Sequence, residues 1–112
     1  MNIRVELNSR AVAGQFRRMI GARIDPALKA IEDHARARVP VDEGELRDSS
    51  DREARPGELE GEVSFLADHA DVVEFGTSTH IASPFLRPAL YEHAGEYLKI
   101  LANGPAEVTT DE

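Results

Sequence analysis

A long apolar stripe constrains the fold of this chain more than any other feature. Between residues 12 and 39, apolar side chains recur at intervals of three and four, which is the spacing that lines one face of an α-helix. The stripe keeps its register across Asp25-Pro26, a pair suited to a helix cap and a first helical turn, so it predicts one long kinked helix or two nearly collinear helices. Pro40 ends it, because the residue before a proline is pushed toward extended geometry. The stripe consists of Val12, Phe16, Met19, Ile20, Ile24, Leu28, Ile31, Ala35 and Val39.

Alternation of apolar and polar residues predicts strands around this helix. Residues 1–7 alternate strictly, and residues 59–67 alternate except at Leu66, which places one apolar face on each segment. Residues 72–75 are typical of a further short strand, closed by Gly76. The order β-α-β-β-β-α therefore predicts an α+β fold, in which one long kinked N-terminal helix and a C-terminal helix pack on a small antiparallel or mixed sheet. Residues 1–105 are assigned to a single domain, and residues 106–112 to a flexible acidic tail.

The C-terminal helix is predicted from a second apolar stripe, at residues 85–101. Ser83-Pro84 has the pattern of an N-cap followed by a proline in the first turn. Pro88 is unfavourable inside that turn, so the regular helix is expected to begin only at Arg87. Asn103-Gly-Pro105 ends the helix with a C-cap and a breaker.

Turn chemistry also marks the segment after the long helix. In Asp42-Glu-Gly-Glu45, the Asp side chain can bond to its own backbone, and Gly44 is expected to adopt a positive φ. Residues 46–55 are polar and predict an exposed strand or a mobile loop, and the following Pro-Gly pair predicts another turn. These segments determine how the elements meet and which surface they present.

Charge is distributed unevenly along the chain. Residues 1–41 carry eight Arg and Lys against four Asp and Glu, a balance of +4, whereas residues 42–112 carry five against seventeen, a balance of −12. The net charge of −8 argues against a general nucleic-acid binder, because phosphate affinity comes mainly from Lys and Arg that release counterions. These charges form either ordinary solvated faces or a basic helix that meets the acidic face of a neighbouring subunit.

The chain lacks the motifs that carry catalysis or bind cofactors. Its histidines form no ligand pair at helical spacing, so no metal site is predicted. A Ser-His-Asp set can be assembled on paper from Ser49 or Ser83 with His80 and Asp42, but no nucleophile elbow accompanies it. No glycine-rich nucleotide loop, cysteine, signal peptide or membrane-spanning stretch occurs. We therefore expect a soluble protein, made in the cytoplasm, that is no enzyme and holds no cofactor. The histidines are His34, His69, His80 and His93.

Three short blocks carry a resemblance to a known family. The first block is Val39-Pro-Val-Asp-Glu-Gly-Glu-Leu-Arg-Asp-Ser49, the second block is Val73-Glu-Phe-Gly-Thr77, and the third block is Ser83-Pro-Phe-Leu-Arg-Pro-Ala-Leu90. In this order and spacing they resemble the blocks of the small neck or tail-completion proteins of long-tailed bacteriophages. Glu43 stands where that family usually has threonine, and His69 and Val72 stand where it often has aromatic residues.

The resemblance implies a structural virion protein at the junction between the DNA-filled head and the tail. Such a protein forms a homo-oligomeric ring, of six subunits if it follows the symmetry of phage tails, through head-to-tail contacts that close by rotation. Its expected partners are the adjacent head-completion or connector proteins and the tail proteins. The resemblance also implies that packaged DNA passes through the lumen without sequence-specific binding, and that no membrane is involved.

The residues assigned to assembly lie in these blocks. The first block is expected to form the turn after the long helix, and the second block to form the end of a strand. The third block is expected to hold the start of the last helix in place. Residues 77–83 and 48–57 are candidate docking surfaces that become ordered on assembly. Two alternatives remain: a tail-terminator ring that caps the tail tube, and a small nucleic-acid-binding regulator that uses the Arg-rich helix. Glu74 is also predicted to pair with Arg87. The assigned residues are Pro40, Asp42, Gly44, Leu46, Glu74, Phe75, Gly76, Thr77, Pro84, Phe85, Leu86, Arg87 and Pro88.

Overall fold

The computed structural model describes residues 1–6 and 14–104. Within them the chain runs β1-α1-α2-β2-β3-α3-α4-α5, and this architecture confirms the predicted α+β class with a long N-terminal helix and a C-terminal helix. The strands are β1 (Asn2–Glu6), β2 (Ser50–Arg55) and β3 (Glu60–Phe65). The helices are α1 (Gly14–Arg38), α2 (Gly44–Asp48), α3 (Ala70–Phe75), α4 (Leu86–Glu92) and α5 (Ala94–Asn103), and a 3₁₀ turn (Pro56–Glu58) joins β2 to β3.

The sheet is antiparallel with the order β1-β3-β2, so the last strand in sequence lies in the middle. Val63 of β3 is paired with Ile3 of β1 on one side and with Arg52 of β2 on the other. Burial alternates along β3, where Val63 and Phe65 are buried and their neighbours are half-buried. This alternation is the one that the sequence predicts, because successive side chains of a strand point to opposite faces.

Helix α1 runs without interruption through Pro26 and packs on the inner face of the sheet. Its buried stripe includes Ile24, Leu28 and Ile31, and it passes very close to β3 at Gly61. A Cβ atom at Gly61 would lie 2.4 Å from Cδ1 of Leu28, so the absence of a side chain there permits the contact. Of the two forms predicted across Asp25-Pro26, the single long helix is the one present, so no second helix begins with a cap at Asp25.

Some predictions fall on residues outside those that the structure describes. They are the start of the long helix before residue 14, the last residue of the first predicted strand, the breaker Pro105, and the acidic tail at residues 106–112. The end of α1 before Pro40 and the C-cap at Gly104, whose φ is +86°, agree with the prediction.

The short strand predicted at residues 72–75 is wrong, because these residues belong to helix α3. The buried residues of α3 are Ala70, Val73 and Glu74, which have the spacing of a helical face. Val and Phe favour strands only weakly, and burial of this face against the core overrides that preference. Gly76 ends the element as predicted, with a φ of +76°.

Two further expectations about local structure are corrected. The segment after Pro40 forms a turn and then helix α2, and Gly44 opens that helix without a positive φ. Of the two forms predicted for residues 46–55, the strand is correct for residues 50–55, which form β2. The C-terminal stripe is divided into α4 and α5 at His93, and α4 begins at Leu86 rather than Arg87.

Candidate functional site

A buried carboxylate joins the second block to the third block. The side chain of Glu74 is fully buried, and Oε1 accepts hydrogen bonds from the backbone N–H groups of Phe85 and Leu86, both at 2.9 Å. Its Oε2 accepts from the backbone N–H of Arg87 at 3.1 Å and from the Arg87 Nε–H at 2.9 Å. The predicted pairing of Glu74 with Arg87 is therefore present, although Glu74 lies on a helix and not on a strand.

This arrangement explains the local sequence of the third block. The first N–H groups of a helix have no partner within the helix and must be satisfied from outside. At the start of α4, Glu74 binds three of them, and the next residue, Pro88, has no N–H to satisfy. The expected cap at Ser83-Pro84 is wrong, because the cap position is Phe85 and the capping oxygens come from another helix.

The electrostatics of Glu74 follow from this geometry. Burial alone raises the pKa of a carboxyl group, because it disfavours the charged form. At Glu74 the hydrogen bonds from the backbone of Leu86 and Phe85 and from Arg87 outweigh burial, so the pKa lies below its ordinary value. Glu74 is therefore an ionised, fully satisfied group at neutral pH.

Arg87 and Phe75 carry the contact between α3 and α4 to the protein surface. The guanidinium carbon of Arg87 lies 4.4 Å from the centre of the Phe75 ring, which is a cation–π contact. Both side chains are about half exposed. They therefore present an aromatic and cationic surface, whereas Phe85 and Leu86 are buried in the core.

The loop between α3 and α4 is held at its base. Gly76 has a φ of +76°, and a Cβ atom there would lie 2.8 Å from the Ala82 nitrogen and 2.9 Å from the His80 carbonyl oxygen. Thr77 and His80 form an isolated antiparallel β-bridge. The Ser83 N–H donates to the Val73 carbonyl at 2.7 Å. Residues 77–84 are exposed, so the loop projects into solvent while these backbone contacts hold its two ends together.

The first block contacts the same region. Leu46 is fully buried in the core, and the Glu43 N–H closes a turn onto the Pro40 carbonyl. Oε1 of Glu43 lies 2.8 Å from Nε2 of His69, the residue before α3. Asp42 is exposed. The first block thus contacts the residue before α3, the helix that carries most of the second block, through a hydrogen bond at Glu43, the position where the resembling family usually has threonine.

The outer face of the sheet is acidic. Its side chains alternate with the buried ones, and the register places Glu53 and Arg4 on either side of Glu62. Arg55 lies among carboxylates, with its Nε 2.7 Å from Oε2 of Glu60. The hydrogen bond from Arg55 lowers the pKa of Glu60. The acidic residues on this face are Glu6, Asp51, Glu53, Glu60 and Glu62, against the two cations Arg4 and Arg55.

The structure also assembles a cluster that the sequence did not predict. His34, His93 and Glu96 each offer one ligand atom, and these atoms lie within 4.8 Å of one another. The spacing of His93 and Glu96, three residues apart in sequence, was a signal for two of the three members of this cluster. His34 lies far away in sequence, so only the packing of α1 on α5 reveals the third member.

The other arrangements considered from the sequence are not formed. The Ser49 hydroxyl donates to the Leu46 carbonyl at 2.7 Å, which is a turn contact rather than a nucleophile–base pair. The helices in the described part of the chain are all too short or too polar to cross a membrane. Comparisons of the chain with protein-family models, with curated proteins and with solved structures found no match.

Proposed function

We propose that the protein is a structural component of the head-to-tail connector, or neck, of a long-tailed bacteriophage. In this proposal it assembles as a ring that joins head and tail and lets DNA pass. The observation that carries the proposal is that the three blocks of the resemblance meet in one region. Glu74 binds the start of α4, and Glu43 of the first block pairs with His69 beside α3.

Exposed apolar side chains in and beside these blocks support a role in protein contacts. Val41 in the first block is 91% exposed, and Ile81 in the loop between the second and third blocks is 90% exposed. Phe75 is held at the surface under the Arg87 guanidinium. Large exposed apolar groups are typical of interaction sites when they accompany aromatic and arginine residues. A subunit contact would bury them.

The acidic outer face of the sheet supports passage of DNA rather than its capture. Five carboxylates against two cations give this face a net negative charge. A ring that turned this face to its lumen would repel phosphates, because affinity for DNA depends on released counterions around cations.

The pairing of basic residues within the chain argues against the nucleic-acid-binding alternative. Arg36 lies 3.7 Å from Asp48, and Arg38 lies 2.9 Å from Glu92. Arg23 donates to the carbonyl of Ala102 at 2.6 Å. These cations of α1 already have partners, so fewer of them are available to bind phosphates.

The test is the solution mass of the purified protein, measured by light scattering and native mass spectrometry, alone and with phage connector and tail proteins. We expect a ring, or a monomer that joins a ring when these partners are present. Ile81→Ser should weaken this assembly without lowering the melting temperature. The matched control is Leu98→Ser on α5, an exposed leucine outside the blocks that should leave assembly unchanged.

A monomer that is indifferent to every virion protein would overturn the proposal. Binding only to the end of the tail tube would instead identify a tail terminator. Salt-sensitive binding of DNA by the isolated protein would favour the regulatory alternative, because such binding loses affinity steeply as salt rises.

A further inference from the structure

His34, His93 and Glu96 present three unused ligand atoms to one another. His34 lies on α1, His93 lies at the joint between α4 and α5, and Glu96 lies in the first turn of α5. Oε1 of Glu96 is 3.8 Å from Nε2 of His34 and 3.7 Å from Nδ1 of His93. Two ligands of a tetrahedral zinc ion lie roughly 3.4 Å apart when each bond is about 2.1 Å long, so both separations are close to those of a zinc site.

The hydrogen bonds around His34 determine which of its ring nitrogens has a lone pair available for a metal. The Tyr97 hydroxyl donates its single proton to the Ala89 carbonyl at 2.6 Å. Its oxygen, 2.8 Å from Nδ1 of His34, must therefore accept the proton of that nitrogen. The lone pair of the neutral imidazole is then on Nε2, the atom that faces Glu96. A metal-bound histidine typically donates its other N–H in this way, and the bond orients the ring.

The two imidazole rings are stacked, which sets one condition on metal binding. Their centres lie 3.7 Å apart and their planes differ by 9°. A bound metal lies close to the plane of each imidazole, so one ring must turn out of the stack. His93 is free to do so, because it is more exposed than His34 and lies at a non-helical joint.

We propose that His34 Nε2, His93 Nδ1 and the Glu96 carboxylate form a site for a divalent transition-metal ion, with Zn²⁺ as the best match. Two imidazoles and one carboxylate without a thiolate suit zinc in a three-ligand site that leaves a fourth position for water or an outside ligand. The bound ion would tie α5 to α1. This inference does not depend on the proposed role in the phage neck.

The test is titration of the tag-free protein with Zn²⁺ by isothermal calorimetry, with Co²⁺ absorption spectra to report the coordination geometry. We expect one ion per chain and the intense visible bands of four-coordinate Co²⁺. His93→Gln and Glu96→Gln should each weaken binding roughly tenfold or more, as expected when a ligand is lost. Both side chains are partly exposed, so these variants should fold normally.

Three controls separate this site from general binding to histidine. His80→Gln removes an exposed histidine outside the cluster and should leave the affinity unchanged. Tyr97→Phe keeps all three ligands but removes the group that orients His34, and should weaken binding about 10–100-fold. Mg²⁺ should not compete, because it prefers oxygen ligands in an octahedral arrangement.

Heating provides a second readout. Excess Zn²⁺ should raise the melting temperature of the unaltered protein and of His80→Gln, but not that of His93→Gln. Absence of binding by the unaltered protein would overturn the proposal, as would equal losses of affinity in His80→Gln and His93→Gln.

Discussion

Glu74 and Arg87 meet through one side-chain bond and one backbone bond, and the same carboxylate also binds the two residues before Arg87. A single buried anion therefore begins helix α4 and fixes its angle to α3. Because it also holds Arg87 over Phe75, the exposed part of the third block depends on a buried residue of the second block.

Replacing Glu74 with Gln should strongly destabilise the protein. The amide that replaces one carboxylate oxygen faces donors of Arg87, which are then left without an acceptor. The expected loss is about 2–4 kcal/mol in the free energy of unfolding, measured by urea denaturation. Glu92→Gln, which breaks only the exposed pair with Arg38, should cost less than about 1 kcal/mol. Equal losses of stability in the two variants would contradict the role of Glu74 as the cap of α4.

The contribution of Glu74 should disappear in acid. Its pKa in the folded protein lies below the ordinary value of 4.5, so the unfolded chain takes up the proton first as the pH falls. The stabilisation is therefore present above about pH 4.5 and is lost progressively below it. The difference in unfolding free energy between the unaltered protein and Glu74→Gln should shrink between about pH 5 and about pH 3. A difference that stays constant would rule out this linkage.

Gly76→Ala should destabilise the loop that follows α3. The new methyl group would meet the backbone at Ala82 and His80, and a positive φ strains any side chain. We expect a loss of about 1 kcal/mol or more, seen as a lower melting temperature. Gly95→Ala is the matched control, because nothing lies within 4 Å of its Cβ position in helix α5. That change should stabilise by up to about 1 kcal/mol.

Gly61→Ala should test the close approach of α1 to the sheet. The added methyl group overlaps Cδ1 of Leu28 and lies near the Glu53 carbonyl, so the expected cost is about 1–3 kcal/mol. Gly57→Ala, where space is open, should have little effect. Shortening Leu28 to Val in the Gly61→Ala background should cost less than it does alone, as a double-mutant cycle would measure. Additive losses would mean that the two sites do not meet.

Tyr97 should titrate only in strong alkali. With Tyr91 changed to Phe, Tyr97 is the one tyrosine left in the chain, and its ultraviolet titration should have a midpoint near pH 12, as its pKa predicts. Because the folded pKa is raised above 10.0, the unfolded chain loses the proton first. Stability should therefore fall between about pH 10 and about pH 12, and Tyr97→Phe should lack this decline. A midpoint near 10 would show that the hydroxyl is not buried in solution.

The regular parts of the fold could be predicted from sequence because they carry long periodic patterns. The stripe of α1 and the alternation of β3 each repeat several times, so the burial of Ile24, Leu28 and Val63 follows from spacing alone. The strand predicted at residues 72–75 was wrong because four residues cannot separate a period of two from one of 3.6. Only contacts with the core decide that α3 is a helix.

The sites were predictable only in part. The Glu74–Arg87 pair was suggested by neighbouring blocks, but its role as a cap was not, because the capping carboxylate lies on a different helix from the one it caps. The expected positive φ at Gly44 failed for a related reason, since the same residue can open a helix or close a turn. The His34 cluster depends on the packing of α1 and α5, which no local pattern encodes.

The strand order has a consequence for the newly made chain. The β1 strand is synthesised first, yet its only hydrogen-bonded neighbour in the described sheet is β3, which ends at Phe65. β2 and β3 are joined by a short turn, so this hairpin can form early from local contacts. Ile3 and Val5 must therefore remain without strand partners until β3 has left the ribosome. We expect β1 to be the last strand to join the sheet and a point at which a nascent chain is open to mispairing with another copy.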